Sequence, residues 1–206
     1  MTVNTNTWNR IRYTLYRPFY DIIATFFHTF RKQSIESLEL KPTDKVLILG
    51  AGTGLDLEFL NDQEQIYAID ITPAMIEEVT KKASKLDLTI NALVMDGSNL
   101  DFEDDFFDAV ILHLIVAVIP NPIACLQETE RVLKPGGRFS ILDKFITSGT
   151  KPGFLRTLIN PLANFFATNI NRNIDEILAH TSLTKTSDNK LHSIFRLITG
   201  YKSSEA

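Results

Sequence analysis

The chain has 206 residues, enough for one domain with a full hydrophobic core and a terminal extension. Its 44% apolar and 22% charged residues are ordinary for a soluble α/β protein, and the one cysteine, Cys125, excludes an internal disulfide and fits a reducing compartment. The net charge of −4 hides a split: residues 1–33 carry +4, residues 34–150 carry −11 and residues 151–206 carry +3, so an anionic partner would be met at the ends unless the surface is simply dipolar.

In chain order, residues 8–32 read as helix, with Trp8, Ile11, Leu15, Phe19, Ile22, Phe26 and Phe30 recurring every three to four positions and Pro18 splitting or kinking it. A second helical stretch, Gln33 to Leu40, ends before Lys41-Pro42 and strand 45–49. A helix over 54–61 follows, then strand 66–69 closing at Asp70, and a helix from Thr72-Pro73 to about Ser84, because proline suits a first turn. Strand 89–94 ends at Met95-Asp96-Gly97. Strand 107–112 precedes a helix from Pro122 to Leu133, and the turn Lys134–Gly137 leads into strand Arg138–Asp143. Strands separated by helices imply right-handed crossovers and a parallel sheet. Beyond residue 151 the pattern changes to a helical part over Phe154–Ala179, then candidate strands 182–186 and 193–199 joined through Asp188-Asn189 as an antiparallel hairpin.

No run of eighteen apolar residues crosses a bilayer and no secretory leader is expected, which favours a cytoplasmic protein. His28, His113, His180 and His192 are scattered, so no metal site is expected. The basic residues form no compact cluster, so nucleic acid is not an expected partner.

The most informative stretch is Val46-Leu47-Ile48-Leu49-Gly50-Ala51-Gly52-Thr53-Gly54-Leu55-Asp56. An apolar strand runs into three alternate glycines, which let the chain turn sharply and a ligand approach without a Cβ in the way. Asp70 at the tip of the next strand is placed to accept hydrogen bonds from a ribose diol, or else to cap the following helix. Asp96-Gly97 ends the third strand, where a short carboxylate accepts from an adenine amino group or is merely solvated. Dinucleotide binders carry a third glycine where this chain has Leu55. A shortened loop suits a cofactor without a pyrophosphate, which favours S-adenosylmethionine over a nicotinamide; a plain tight turn is the alternative.

Val46–Asp56, Ala68–Met75, Val94–Gly97, Phe102–Val110 and Glu130–Arg138 together resemble, in order and spacing, the class I S-adenosylmethionine-dependent methyltransferases. The resemblance covers roughly residues 40–145. It implies a Rossmann-like α/β fold: a seven-stranded sheet of order 3-2-1-4-5-7-6, strand 7 antiparallel, helices on both faces, and here an N-terminal amphipathic helical extension. It implies that Gly50, Ala51, Gly52, Thr53 and Gly54 lie against the methionine moiety, that Asp70 binds ribose, that Ile71 and Met75 pack on adenine, and that Asp96 and Gly97 hold the adenine edge. His113, at the tip of strand four, would lie near the sulfonium. Members often carry an acid two positions before the first glycine, where this chain has Ile48.

Leu114–Pro122, Arg17–Asp21 and the small size are similar to the bacterial phospholipid N-methyltransferases, which act on phosphatidylethanolamine, and to the neighbouring quinone C-methyltransferases. The expected activity is therefore N-methylation of a phospholipid head group. Methylation of a quinone or a soluble small molecule is the alternative, and a non-catalytic cofactor-binding protein is a third reading. Candidates for removing the amine proton are His113 and Tyr20, with Tyr13 and Tyr16 behind them. Residues 1–40 are expected as amphipathic helices that lid the cofactor or lie on an anionic membrane surface, on the inner face of the membrane. Residues 41–206 form the methyltransferase domain, in which 151–180 cap the acceptor site or pack as core.

Overall fold

The apolar runs of the sequence become the strands of one sheet. The computed structural model describes residues 27–145, 172–192 and 195–204. Residues 27–36 form α1. There follow β1 (Lys45–Leu49), a 3-10 turn (Leu55–Phe59), β2 (Gln65–Asp70), α2 (Pro73–Lys85), β3 (Ile90–Val94), β4 (Phe107–His113), α3 (Pro122–Val132), β5 (Leu133–Lys144), α4 (Ile174–Leu178), β6 (Leu183–His192) and β7 (Phe195–Lys202). The sheet order is β3-β2-β1-β4-β5-β7-β6, as the resemblance implied. The pairs β1–β2, β2–β3, β1–β4 and β4–β5 are parallel, and β7 runs antiparallel to β5 and β6.

Because successive side chains on a strand face opposite sides, the central strands feed two separate cores. Leu47, Leu49, Val110 and Leu112 join Leu126, Val132, Ile177 and Leu178 beneath α3 and α4. Val46, Ile48, Ala109 and Ile111 join Ile35, Leu38, Leu57, Val79 and Ala83 beneath α1 and α2. Strands covered on both faces read as nearly unbroken apolar runs, as β1 and β4 do. At one end of the sheet, Tyr67 meets Phe102, Phe106 and Phe107 edge-on with centroids 5.2–5.8 Å apart. This aromatic cluster seats the acidic Phe102–Asp108 segment at the entry to β4. Arg131 fixes the same segment from α3, donating to Leu100 O (2.9 Å) and Phe102 O (2.7 Å) and pairing with Glu128 and Asp104. Arg131 of the Glu130–Arg138 motif is therefore structural here.

Three local expectations change. The helix over 54–61 is a 3-10 turn: Gly54 precedes it in the left-handed region (φ 79°), and Leu57 and Leu60 bond back three residues, not four. No helix break falls at residue 33; α1 runs continuously through it. The hairpin does not turn at Asp188-Asn189, which sit inside β6 opposite Ile198 and Leu197. Asp188 is held in the ladder by Arg196 (2.8 Å from Nε) and by Lys185 (2.9 Å). Of the helical part expected over Phe154–Ala179, Ile174–Leu178 is helix, and residues before Arg172 lie outside the described residues, as do residues 1–26 of the N-terminal extension.

Gly54 tests whether the loop needs glycine for conformation and space. A Cβ there would stand 2.8 Å from Val79 Cγ2, on a backbone that L residues rarely adopt. Gly54→Ala is expected to lower unfolding free energy by about 2 kcal/mol or more in urea titration.

Candidate functional site

The chain passes from β1 to β2 and β3 on one side and returns to β4 and β5 on the other, so a crevice opens at the carboxyl ends of β1 and β4. The glycine loop forms one wall. Gly50 and Ala51 both donate to Ile69 O (2.9 and 2.8 Å), folding the loop over the tip of β2. Gly52 donates to Asp70 Oδ2 (3.0 Å), and Thr72 donates to Asp70 Oδ1 (2.8 Å). Asp70 thus serves the start of α2 and the loop at once, and each oxygen keeps a lone pair for another donor. Burial pushes its carboxyl above the ordinary value, against the pull of the Thr72 and Gly52 N–H groups. Met95 N–H donates to Asp70 O (3.0 Å), which sets the following Asp96 beside the crevice, where its Oδ1 accepts from Ser98 N–H (2.9 Å). Gly97 lies so close to β1 that a Cβ would meet Leu49 Cδ2 at 2.6 Å.

The crevice encloses about 850 Å³, open solvent at its mouth included. Gly50, Ala51, Gly52, Thr53, Asp70, Ile71, Met75, Asp96, Gly97 and His113 all line it. Gly54 does not; it packs against Val79 instead. Ile48, buried in the core behind the loop, does not line it either. The roof is Ile115, Val118, Ile119 and Pro120. It is pinned by Arg172, which donates to Val116 O and to Ile119 O (2.7 Å), and by Ala117 N–H donating to Asp143 Oδ2 (2.7 Å).

Behind the loop sits a buried polar chain that crosses four elements. Asp56 Oδ1 accepts from Arg31 Nη1 (2.6 Å) and from His113 Nδ1 (2.7 Å). His113 Nε2 lies 2.6 Å from Ser34 Oγ, which lies 2.5 Å from Ser140 Oγ. Burial raises the Asp56 carboxyl, but Arg31 and His113 overcome it and hold the group well below the usual carboxylate range. With Asp56 ionised, Nδ1 carries a proton toward it and, in the neutral ring, Nε2 accepts from Ser34. This corrects the expectation of His113 as a free base: the ring borders the crevice, yet both nitrogens are engaged by buried partners. Asp56–His113–Ser34 has the connectivity of a hydrolytic triad. Ser34, however, is wholly buried, does not line the crevice and is also bound to Ser140, so it is no nucleophile. Cys125 is excluded as well, since burial pushes its thiol up to about 12.

Sequence reasoning missed Arg31, Ser34, Asp56 and Ser140. The available signal was on α1, where Phe27, Arg31, Ser34 and Ile35 share the buried face, so two polar residues interrupt an otherwise apolar stripe. Tyr20, like Tyr13 and Tyr16, lies outside the described residues. Among the described residues, no group of three His, Cys, Asp or Glu side chains could hold a metal, and no helix is long and apolar enough to cross a membrane.

A sheet of this order, with a glycine loop and two strand-end acids at its switch point, defines a nucleoside-binding class of α/β domain. Residues 47–141 match the family model described as "Methyltransferase domain". The chain is 33% identical over 103 residues to a phosphatidylethanolamine N-methyltransferase of Cereibacter sphaeroides, covering 49% of this chain and 51% of that protein. It is 35% identical over 115 residues to a demethylmenaquinone methyltransferase of Corynebacterium glutamicum (strain R), covering 55% and 47%. The chain spans about half the length of these curated relatives. A geranyl diphosphate C-methyltransferase of Streptomyces coelicolor A3(2), solved with S-adenosyl-L-homocysteine, superposes with a TM-score of 0.71 at 14% identity, covering 84% of this chain and 80% of that one. Residues 47–141 are thus a methyltransferase domain, and these matches support the resemblance to the class I S-adenosylmethionine-dependent methyltransferases.

S-adenosylmethionine is the cofactor of this family, and the residues present fit it. Gly50 leaves no room for a Cβ beside Ile115 (2.9 Å), Asp70 has acceptor capacity to spare, and two residues bordering the crevice, Arg31 and Thr53, each carry a buried polar atom without a partner, Nε and Oγ1. Asp70→Asn is expected to weaken S-adenosylhomocysteine binding about 10- to 100-fold by calorimetry, the range for a charge-assisted hydrogen bond. Asp56 supplies a pH test. Its depressed carboxyl adds stability that is present above the unfolded-state value near 4 and disappears as pH falls through the folded-state value. Wild type should lose denaturation free energy below about pH 4, and Asp56→Asn should flatten that acid limb. At pH 7 the same variant should be less stable by about 3–5 kcal/mol, with buried Arg31 left unpaired.

Proposed function

We propose that this protein transfers the methyl group of S-adenosylmethionine to the amine of a phospholipid head group, phosphatidylethanolamine being the chief candidate. The observation that carries the reading is the 33% identity over 103 residues to a phosphatidylethanolamine N-methyltransferase. The apolar roof of Ile115, Val118, Ile119 and Pro120 and the basic ends of the sequence support it. The basic ends would hold the enzyme peripherally on an anionic membrane, at the inner face of the membrane and on its cytoplasmic side, each Arg or Lys near the surface adding about 1 kcal/mol.

A bound sulfonium supplies an already activated methyl group. The chain's own residues are left to position and to exclude water. Asp70 and the loop fix the nucleoside, and the roof, clamped by Arg172 and Asp143, closes over the reacting end. A head-group amine, of pKa about 10 by analogy with lysine, must arrive neutral. An apolar roof disfavours its ammonium form by desolvation, and so does part of the work of a base. His113, fixed between Asp56 and Ser34, positions the wall at the strand tip. Tyr20 is the remaining proposed partner for the departing proton.

A second reading, methylation of a quinone ring carbon, is favoured by the 35% identity to a demethylmenaquinone methyltransferase. The two separate when labelled S-adenosylmethionine is incubated with the protein and a bacterial lipid extract, then resolved by thin-layer chromatography. Label is expected in N-methylated phosphatidylethanolamine. Label confined to the quinone fraction would establish the second reading, and none in either fraction, with cofactor binding intact, would sink both. Flotation with anionic vesicles should be reduced several-fold by high salt, as screening requires; failure to float at any salt would remove the membrane part.

A further inference from the structure

Arg31 is an odd residue to find inside a domain. Its side chain is 9% exposed, yet it is tied to Asp56 through Nη1 alone, and its Nε is buried without a partner. A guanidinium presents five donors in a planar fork suited to two-point recognition of a carboxylate or phosphate. A buried donor left without an acceptor is unfavourable unless something else occupies the site. Arg31 borders the cofactor crevice, so a guanidinium with unused hydrogen-bonding capacity stands at the edge of a region a ligand can occupy.

Where Arg31 sits narrows the ligand. Asp56 belongs to the 3-10 turn that begins directly after the glycine loop, and His113 ends the strand next to β1. The guanidinium therefore stands at the loop end of the crevice. Asp96 and Gly97 lie beyond the tips of β2 and β3, at the other end. The ribose is assigned to Asp70 between them, so the part of the cofactor that reaches Arg31 is its amino-acid tail. That tail ends in a carboxylate.

We propose that Arg31 anchors the methionine carboxylate of the cofactor, with Asp56 as the fixed counter-charge that holds the guanidinium in place. This goes beyond the acceptor assignment and does not depend on it. The preference order of the site follows: S-adenosyl ligands with an intact carboxylate bind, and those without it bind poorly. Helix α1 is then a wall of the cofactor site and not only a lid over it.

Calorimetry on the full chain tests this with three probes: S-adenosylhomocysteine, decarboxylated S-adenosylmethionine, and 5′-methylthioadenosine, which lacks the amino-acid tail. Arg31→Lys keeps a positive charge against Asp56 but removes the fork and Nε. It is expected to weaken S-adenosylhomocysteine about tenfold or more, the lower range for a charged hydrogen bond, while changing 5′-methylthioadenosine by less than about twofold. Equal weakening of both ligands would reduce Arg31 to a structural residue. Unchanged S-adenosylhomocysteine affinity with a raised KM for the methyl acceptor would place the guanidinium on the acceptor and overturn the assignment. Should the variant fail to fold, wild type still decides: S-adenosylmethionine must bind at least tenfold more tightly than its decarboxylated form, and equal affinity refutes the proposal.

Discussion

An ionised carboxylate cannot lie inside a protein without partners, because the loss of water around the charge is worth several kcal/mol. Asp56 meets that constraint by gathering Arg31 from helix α1 and His113 from the tip of β4 onto one oxygen. His113 then reaches Ser34 on α1, and Ser34 reaches Ser140 on β5. One buried charge thereby ties the turn after the glycine loop to two central strands and to the helix that covers them. The geometry of the loop, and so of the crevice wall, depends on this tie.

The crevice itself is a consequence of topology. A parallel sheet whose strand order reverses beside its first strand leaves a gap at the carboxyl edge, because successive crossovers leave in opposite directions. What fills the rim of that gap is local chemistry. Glycines at positive φ keep the loop low, Asp70 bridges the loop and the start of α2, and Asp96 follows the tip of the next strand. The roof opposite is held by backbone carbonyls given to Arg172 and by an N–H given to Asp143. Burial pushes Asp143 upward and pulls Arg172 downward, so the two charges that fix the roof are themselves partly desolvated.

The division between what was legible and what was not follows the range of the interactions. The alternation of apolar strands with helices, and the register of motifs along residues 46–138, carried the fold class and the crevice, and of the eleven residues expected on the cofactor ten border that crevice. Gly54 was grouped with its neighbours because it shares their spacing, although space beside Val79 is what requires it. The helix expected after it failed because a left-handed Gly54 and a buried Asp56 draw the chain into a tight turn. The hairpin was misplaced because Asp-Asn is a common turn pair, whereas here the aspartate side chain is neutralised by Arg196 and Lys185 within the strand.

By itself the sequence determined the parts that depend on near neighbours: apolar periodicity, glycine conformation, the proline that starts α2, and acids at strand ends. Only the tertiary structure decided the charge chain of Arg31, Asp56, His113, Ser34 and Ser140, whose bonded pairs lie 25, 57, 79 and 106 residues apart. No local pattern encodes such a set. Which polar side chains meet is fixed by how the crossovers stack the elements, and a polar residue on a helix shows whether it is a solvated edge or a buried anchor only once its facing charge is in place.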